Sequence, residues 1–370
     1  MDFTLDGEQT ALRDAVRGLL KGYDAEHRRQ VVAEDPGFDE AMWGKLAEMG
    51  VLGLPFAEDD GGMGAGPAEV SVVAEEFGRV IAPEPFVEAV VLAGGLVAAL
   101  GSDEQKKEVL GGISSGELVP AFAWSDPTGG EQGVTVDGDT LTGVKEPVLN
   151  GGRADLLVVF AEGRLFLVEA GALSDSGGSR TSYRTFDGGR AARIAFDKTP
   201  ATPLGEGGDA SEATKDVLAA AMVAYAHEAL GAMDSALRLT TDYLTTRKQF
   251  GMTLNRFQAL TFRAADMYTS LELTRSIVTW ATMVLADPDA SAEQKREAAS
   301  RAKLQVSRAS RHVGQEAIQL HGGIGMTAEY SVGHLTARLT AIDHRLGDGR
   351  QQVKNLSRRL TDYDVVEPLP

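Results

Sequence analysis

Tyr243-Leu244-Thr245-Thr246-Arg247-Lys248-Gln249-Phe250-Gly251, followed by Gln258, is the stretch whose reading decides the fold. It closes a long helical segment rich in Ala, Leu, Arg and Glu, breaks at Gly251, and opens another helix. An arginine at such a break can lay a planar fork of donors on two phosphate oxygens, and Phe250 beside it offers an aromatic face. The same pair also suits a surface guanidinium next to a buried ring. A second stretch, Gln319-Leu320-His321-Gly322-Gly323-Ile324-Gly325-Met326-Thr327-Ala328-Glu329-Tyr330, places glycines between two helices. There the backbone can approach a ligand closely, and the following helix N-terminus favours an anion. Either loop alone is weak evidence. Together, in this order, they are far more specific.

Working outward, the period from about residue 211 onward is helical, in long segments near 212–246, 255–286 and 291–320. Segments of that length pack as a bundle. Between 118 and 204 the texture changes. Val134-Thr135-Val136, the turn Asp137-Gly138 and Leu141-Thr142-Gly143-Val144 form a predicted hairpin, since Asp-Gly suits a type I′ turn. Runs 156–160, 165–168 and 192–196 are short strands, and 174–179 is an exposed connection. The first third is helical. Leu12, Val16, Leu19 and Leu20 line one face behind Asp6-Gly7-Glu8, and Phe38, Met42, Leu46 and Met49 line another. A glycine-rich loop at 61–66 leads to Pro67, a helix-opening proline ahead of Val70, Val73, Ala74 and Phe77. Helical runs follow at 84–100 and 102–114, the second opened by Ser102 and Gln105. The expected architecture is α+β in three parts. Residues 1–117 make an N-terminal helical domain, 118–204 a small β-sandwich or barrel, and 205–370 a C-terminal four-helix bundle.

Composition narrows the chemistry. The 370 residues carry 36 Lys+Arg against 54 Asp+Glu, a net charge of −18, with no basic run to overcome repulsion from nucleic acid or an anionic lipid surface. Neither partner is expected. There is no cysteine, which excludes disulfides, thiolate nucleophiles and iron–sulfur clusters. The six histidines, His27, His227, His312, His321, His334 and His344, lack ligand spacing, so no metal site is expected. The uncharged apolar run 89–100 is shorter than the ~18 residues of a membrane span. The first residues lack a basic-then-apolar leader. A cytoplasmic protein is expected.

With these motifs in hand, the chain resembles the acyl-CoA dehydrogenase flavoproteins over essentially its whole length. Trp43-Gly44-Lys45-Leu46-Ala47-Glu48-Met49-Gly50, Gly61-Gly62-Met63-Gly64 and Glu75-Glu76-Phe77-Gly78-Arg79 match the family's N-terminal domain. Phe122-Ala123-Trp124-Ser125-Asp126-Pro127 resembles the β-domain segment that contacts the flavin ring, so Phe122, Trp124 and Ser125 are implied there. Trp124 also suits the β-domain core. Gly143-Val144-Lys145 and Asn150-Gly151-Gly152-Arg153-Ala154-Asp155 resemble the next signature. Arg247, Phe250 and Gln258, with Gln319, Gly322 and Gly323, match the motifs that reach the pyrophosphate and adenosine of an FAD held mainly by a neighbouring subunit. The resemblance thus implies FAD, an acyl-CoA substrate, electron-transfer flavoprotein as acceptor, and a homo- or hetero-oligomer, a dimer of dimers with shared flavin sites. It implies oxidation of the Cα–Cβ bond of the thioester to the enoyl-CoA, as in β-oxidation of fatty-acid or steroid side chains. That reaction needs a carboxylate to take the α-proton, with hydrogen bonds on the thioester oxygen stabilising the developing charge.

The chain departs from the pattern where the base belongs. Many relatives carry Glu-Gly-Thr; here the matching stretch is Leu346-Gly347-Asp348-Gly349-Arg350. Asp348 is the implied base, one methylene shorter, and a ~1 Å misplacement can cost on the order of 100-fold in rate. As a favoured helix-capping residue, Asp348 also suits the N-cap of a last helix over 349–360. The alternative glutamate position of other relatives is Ala221, with Met222 standing where many use an arginine, and Pro147 and Leu149 replace a tryptophan and a threonine. This combination resembles the small subunits of bacterial heteromeric acyl-CoA dehydrogenases. Two alternatives stay open: a non-catalytic partner subunit that shares an FAD site, and a flavin-dependent oxygenase on the same scaffold. Asp216, Tyr225 and Glu228 lie on the long helix, where solvation is the expected state of Glu228. His321 is expected to be structural or nucleotide-facing.

Overall fold

Several helices in this protein start where a side chain catches free backbone N–H groups. The computed structural model describes residues 4–127 and 133–358. Asp6 accepts from the Gln9 amide at 2.8 Å and opens α1 (Gly7–Leu20), which buries Val16 and Leu20. Asp24 and Asp39 open α2 (Ala25–Ala33) and α3 (Glu40–Glu48) the same way. Pro67 stands in the first turn of α4 (Pro67–Val80). The run expected at 84–100 is helical in two pieces, a π-helical segment Phe86–Gly94 and α5 (Gly95–Leu100). Ser102 and Gln105 form the reciprocal capping box of α6 (Asp103–Ser114).

The chain then enters two four-stranded sheets. Its strands are β1 (Pro120–Ala123), β2 (Thr135–Asp137), β3 (Thr140–Leu149), β4 (Leu156–Ala161) and β5 (Arg164–Glu169), then β6 (Ser179–Arg184), β7 (Arg190–Pro200) and β8 (Thr202–Pro203). One sheet runs β1-β4-β5-β8, the other β2-β3-β7-β6. Their facing sides share one core, with Leu157, Val159 and Phe166 from the first meeting Leu141, Ile194 and Phe196 from the second. The hairpin expected at Asp137-Gly138 is present, with Asp137 opposite Thr140 and Gly138 at φ 59°. The connection expected at 174–179 is shorter than that. It contains the end of a short helix, α7 (Ala170–Asp175), and β6 begins at Ser179. β6 is a polar edge strand, so it lacks the apolar alternation that would have marked it.

The last part is a bundle of α8 (Ser211–Thr246), α9 (Gln258–Ala286), α10 (Ala292–His321) and α11 (Ser331–His344), closed by the short α12 (Gly349–Ser357). Alanines at 224, 229, 232 and 236 of α8 and 298, 299 and 302 of α10 are buried, which lets these long helices approach closely. Among the described residues no helix is long and apolar enough to cross a membrane.

Two glycines join the N-terminal part to the bundle. A Cβ at Gly78 of α4 would lie 1.8 Å from the Glu228 carbonyl oxygen of α8, and one at Gly231 of α8 would lie 2.0 Å from the Glu75 carbonyl oxygen. The two backbones touch, and any side chain there must push the helices apart. Gly78→Ala is therefore expected to lower stability by about 1–3 kcal/mol or more. Gly44→Ala, in α3 with nothing within 4 Å of the added Cβ, is expected to raise it by ~0.5–1 kcal/mol. Denaturant melts of the two variants check this; a Gly78→Ala protein as stable as the wild type contradicts the contact.

Candidate active site

Strand β1 points the chain from the sheets towards the bundle, and a cleft of about 570 Å³ opens where it ends. Phe122, Trp124 and Ser125, with Pro147 and Leu149 from β3, form one wall. Leu218 and Met222 of α8, the end of α11 and the π-helical segment form the other. Trp124 is 37% exposed and packs on Phe122 (5.9 Å between ring centroids) and Phe160 (5.2 Å). It faces the cleft rather than filling the β-core. The buried Lys145 ammonium fixes the segment, donating to the Trp124 carbonyl oxygen at 3.1 Å and the Asp126 carboxylate at 2.6 Å.

Below this wall lies a cluster of buried charges. Glu88 Oε1, on the π-helical segment, accepts from the Tyr225 hydroxyl at 2.9 Å and from Arg345 Nη1 at 2.7 Å. The Arg345 guanidinium also lies over the Tyr225 ring, 5.1 Å from its centroid, and 3.6 Å from Asp187 Oδ2. Arg338 bridges Asp187 Oδ2 (2.9 Å) and Glu228 Oε1 (2.5 Å). Arg28 donates to the backbone carbonyls of Ile81 and Asp187, both at 2.8 Å. Two arginines thus pair with three carboxylates while backbone carbonyls hold the third arginine, Arg28, an arrangement that makes buried charge tolerable. Burial alone would raise the Asp187 carboxyl, but Arg338 and Arg345 outweigh it and hold the group well below the usual carboxylate range. Burial, reinforced by Glu88, pushes the Tyr225 hydroxyl far up, so it stays a donor.

This cluster corrects one expectation. Glu228 is not solvated; it is 3% exposed and paired with Arg338. Sequence reading also passed over Glu88, Asp187, Arg338 and Arg345. Their one visible signal was a charge such as Glu88 beside a long apolar run. Asp216, by contrast, pairs with Arg296 at 2.6 Å near the surface.

The other nominated residues gather at a different end. Arg247 caps α8, and Lys248–Gln249 and Met252–Thr253 form a two-stranded hairpin (β9 and β10). Phe250 and Gly251 occupy its turn, both at positive φ (52° and 81°), as a two-residue hairpin loop demands. Phe250 is 88% exposed, edge-on to Phe257 at 6.2 Å, so it is not a buried ring beside a surface guanidinium. Among the described residues the Arg247 guanidinium has no acidic partner. Gln258 opens α9, and Gln319 lies in the last turn of α10 before Gly322 and Gly323. The two stretches are brought together by Tyr243, whose ring stacks on His321 at 4.6 Å, with Tyr330 5.0 Å from His321. Burial keeps the His321 imidazole below its ordinary range, which suits a structural role. A Cβ at Gly322 or Gly323 would meet nothing within 4 Å. None of these residues lines the Trp124 cleft.

Asp348 caps α12, its Oδ1 accepting from the Gln351 amide at 2.9 Å. That hydrogen bond holds its carboxyl below the usual range. Its neighbours Gly347 and Gln351 line the cleft, while Asp348 itself does not.

A flavin dinucleotide fits what is present: an aromatic wall in the cleft, an uncommitted arginine fork beside an exposed ring, and bare glycine backbone open to an approaching chain or ligand. Comparison with known proteins points the same way. The acyl-CoA dehydrogenase N-terminal domain model matches residues 6–117 and the C-terminal domain model residues 212–360. The short-chain specific acyl-CoA dehydrogenase of Clostridium acetobutylicum is 28% identical over 92% of this chain and 95% of its own. A Tcur3481-Tcur3483 steroid ACAD variant superposes with a TM-score of 0.86 at 30% identity, covering 97% of this chain and 99% of that one. The ChsE4-ChsE5 complex of Mycobacterium tuberculosis superposes at 0.86 with 25% identity, over 99% and 100%. Matched at both ends by its domain models and along its length by such relatives, the chain belongs to the acyl-CoA dehydrogenase family, whose chemistry is the FAD-dependent oxidation of acyl-CoA thioesters.

Proposed function

We propose that this chain is a subunit of an oligomeric acyl-CoA dehydrogenase that converts an acyl-CoA to its enoyl-CoA and works in the cytoplasm. The observation that carries the reading is the cleft between the Phe122–Ser125 segment and the bundle, with Met222 and Leu218 opposite Trp124. FAD, when bound, supplies the acceptor for the hydride leaving Cβ. The chain's own residues bind and orient. Trp124 and Phe122 offer an aromatic wall that excludes water, and Ser125 a hydroxyl at its edge. Arg247, Phe250, Gln258, Gln319, Gly322 and Gly323 serve the diphosphate and adenosine of an FAD shared with a neighbouring protomer. That none of them lines this chain's own cleft supports such sharing. Electrons then pass to electron-transfer flavoprotein.

Asp348 is the proposed base where this chain performs the oxidation itself. Its engagement as the α12 cap supports a second reading, in which a companion subunit supplies the base and this chain completes the flavin site; the similar ChsE4-ChsE5 structure is a complex of two proteins.

Two measurements test the proposal. Purified with FAD, alone or with a co-expressed companion chain, the protein is expected to show a flavin absorption band that an acyl-CoA from a chain-length panel bleaches. Arg247→Gln is expected to weaken FAD retention about ten- to a hundredfold, the loss of a charge-assisted fork. Protein that stays colourless in both preparations contradicts the reading. Asp348→Asn keeps the cap, because asparagine caps as well as aspartate. If Asp348 is the base, turnover falls at least about 100-fold at an unchanged melting temperature; unchanged turnover assigns the proton transfer to a companion chain.

A further inference from the structure

Within the proposed acyl-CoA site, Glu88 has no job in the reaction as derived above. It is 5% exposed and lines the cleft beside Leu92, Leu218 and Met222. Both of its hydrogen bonds, from Tyr225 and Arg345, end on Oε1. Among the described residues Oε2 accepts nothing. A carboxylate oxygen that faces a cleft and has no protein donor is satisfied by water only while the cleft is wet. When an acyl chain enters and expels that water, the oxygen needs a donor from the chain, or its desolvation counts against binding.

The neighbouring charges do not offer an equivalent handle. Asp187 is fully buried and held by Arg338, Arg345 and the Thr185 hydroxyl. Arg345 is spent on Glu88, Asp187 and the Tyr225 ring, so its guanidinium offers no free fork to an anionic chain end. An anionic group would also face the Glu88 carboxylate directly.

We propose that Glu88 is a specificity-determining residue: this cleft selects acyl-CoA thioesters whose acyl chain carries a hydroxyl group, which donates to Glu88 Oε2. Sites built around a buried acceptor discriminate strongly against analogues that lack the donor, because the acceptor is then left unpaired. A plain alkyl chain keeps its hydrophobic gain but strands the carboxylate.

The inference rests on the acyl-CoA reading, and the test separates the two. The FAD-loaded oligomer is titrated calorimetrically under anaerobic conditions with butanoyl-, hexanoyl- and octanoyl-CoA, and with the terminally hydroxylated counterpart of each. The expected result is a Kd on the order of ten- to a hundredfold lower for the hydroxylated member of at least one pair. Glu88→Gln keeps a carbonyl oxygen for Tyr225 and Arg345 but removes the charge; it is expected to cut that ratio at least about fivefold. The ratio compares two ligands on one protein, so a merely structural loss leaves it unmoved. Plain chains binding as tightly as hydroxylated ones in every pair overturn the inference and leave the acyl-CoA reading standing. A preference that survives Glu88→Gln unchanged overturns it too. Failure of all six thioesters to bind contradicts both.

Discussion

Three arginines and three carboxylates, buried where the three parts of the chain meet, constrain everything above them. Arg28 and Glu88 come from the N-terminal helices, Asp187 from the turn between β6 and β7, and Glu228, Arg338 and Arg345 from the bundle. Arg338 and Arg345 pair with the three carboxylates, and withdrawing any of these five strands a charge in a low-dielectric place, a loss of several kcal/mol. The cluster therefore fixes the β-layer relative to α8 and α11, and with it the spacing of the cleft walls. The glycine contact between α4 and α8 fixes the N-terminal helices on the bundle, by backbone approach rather than by charge.

Binding groups are divided between two regions. The aromatic wall and the charged floor belong to the cleft, while Arg247, Phe250 and the glycines at 322 and 323 lie at the far ends of α8 and α10. A Phe exposed to 88% on a strained-φ hairpin turn has little to do in an isolated protomer. It is the sort of residue that a neighbouring chain or a ligand covers. The division explains how a protein can keep its nucleotide-holding residues and yet vary those that face the substrate: the two sets answer to different constraints.

What was legible in the sequence was local. The helix opening at Asp6-Gly7-Glu8, the Ser102–Gln105 capping box, the Asp137-Gly138 turn, Pro67 at a helix start and the long alanine-rich periods each carry their signal within a few residues, and each appears where expected. The polar α2 and the edge strand β6 carry no apolar stripe, so periodicity passed over both. The charged floor was hidden for a different reason. Its members come from positions 28, 88, 187, 225, 228, 338 and 345, and nothing in their spacing announces that they meet. Glu228 looked solvated because only folding delivers Arg338 to it. The family motifs made the site's outline readable; the departures at Asp348 and Met222 left its chemistry to be placed by structure.

The most direct test is an experimental structure of the FAD-loaded oligomer. The account predicts the flavin ring against Trp124, with Arg247 of the adjoining protomer forked onto the diphosphate. A flavin seated away from that wall, or an Arg247 left facing solvent, contradicts it.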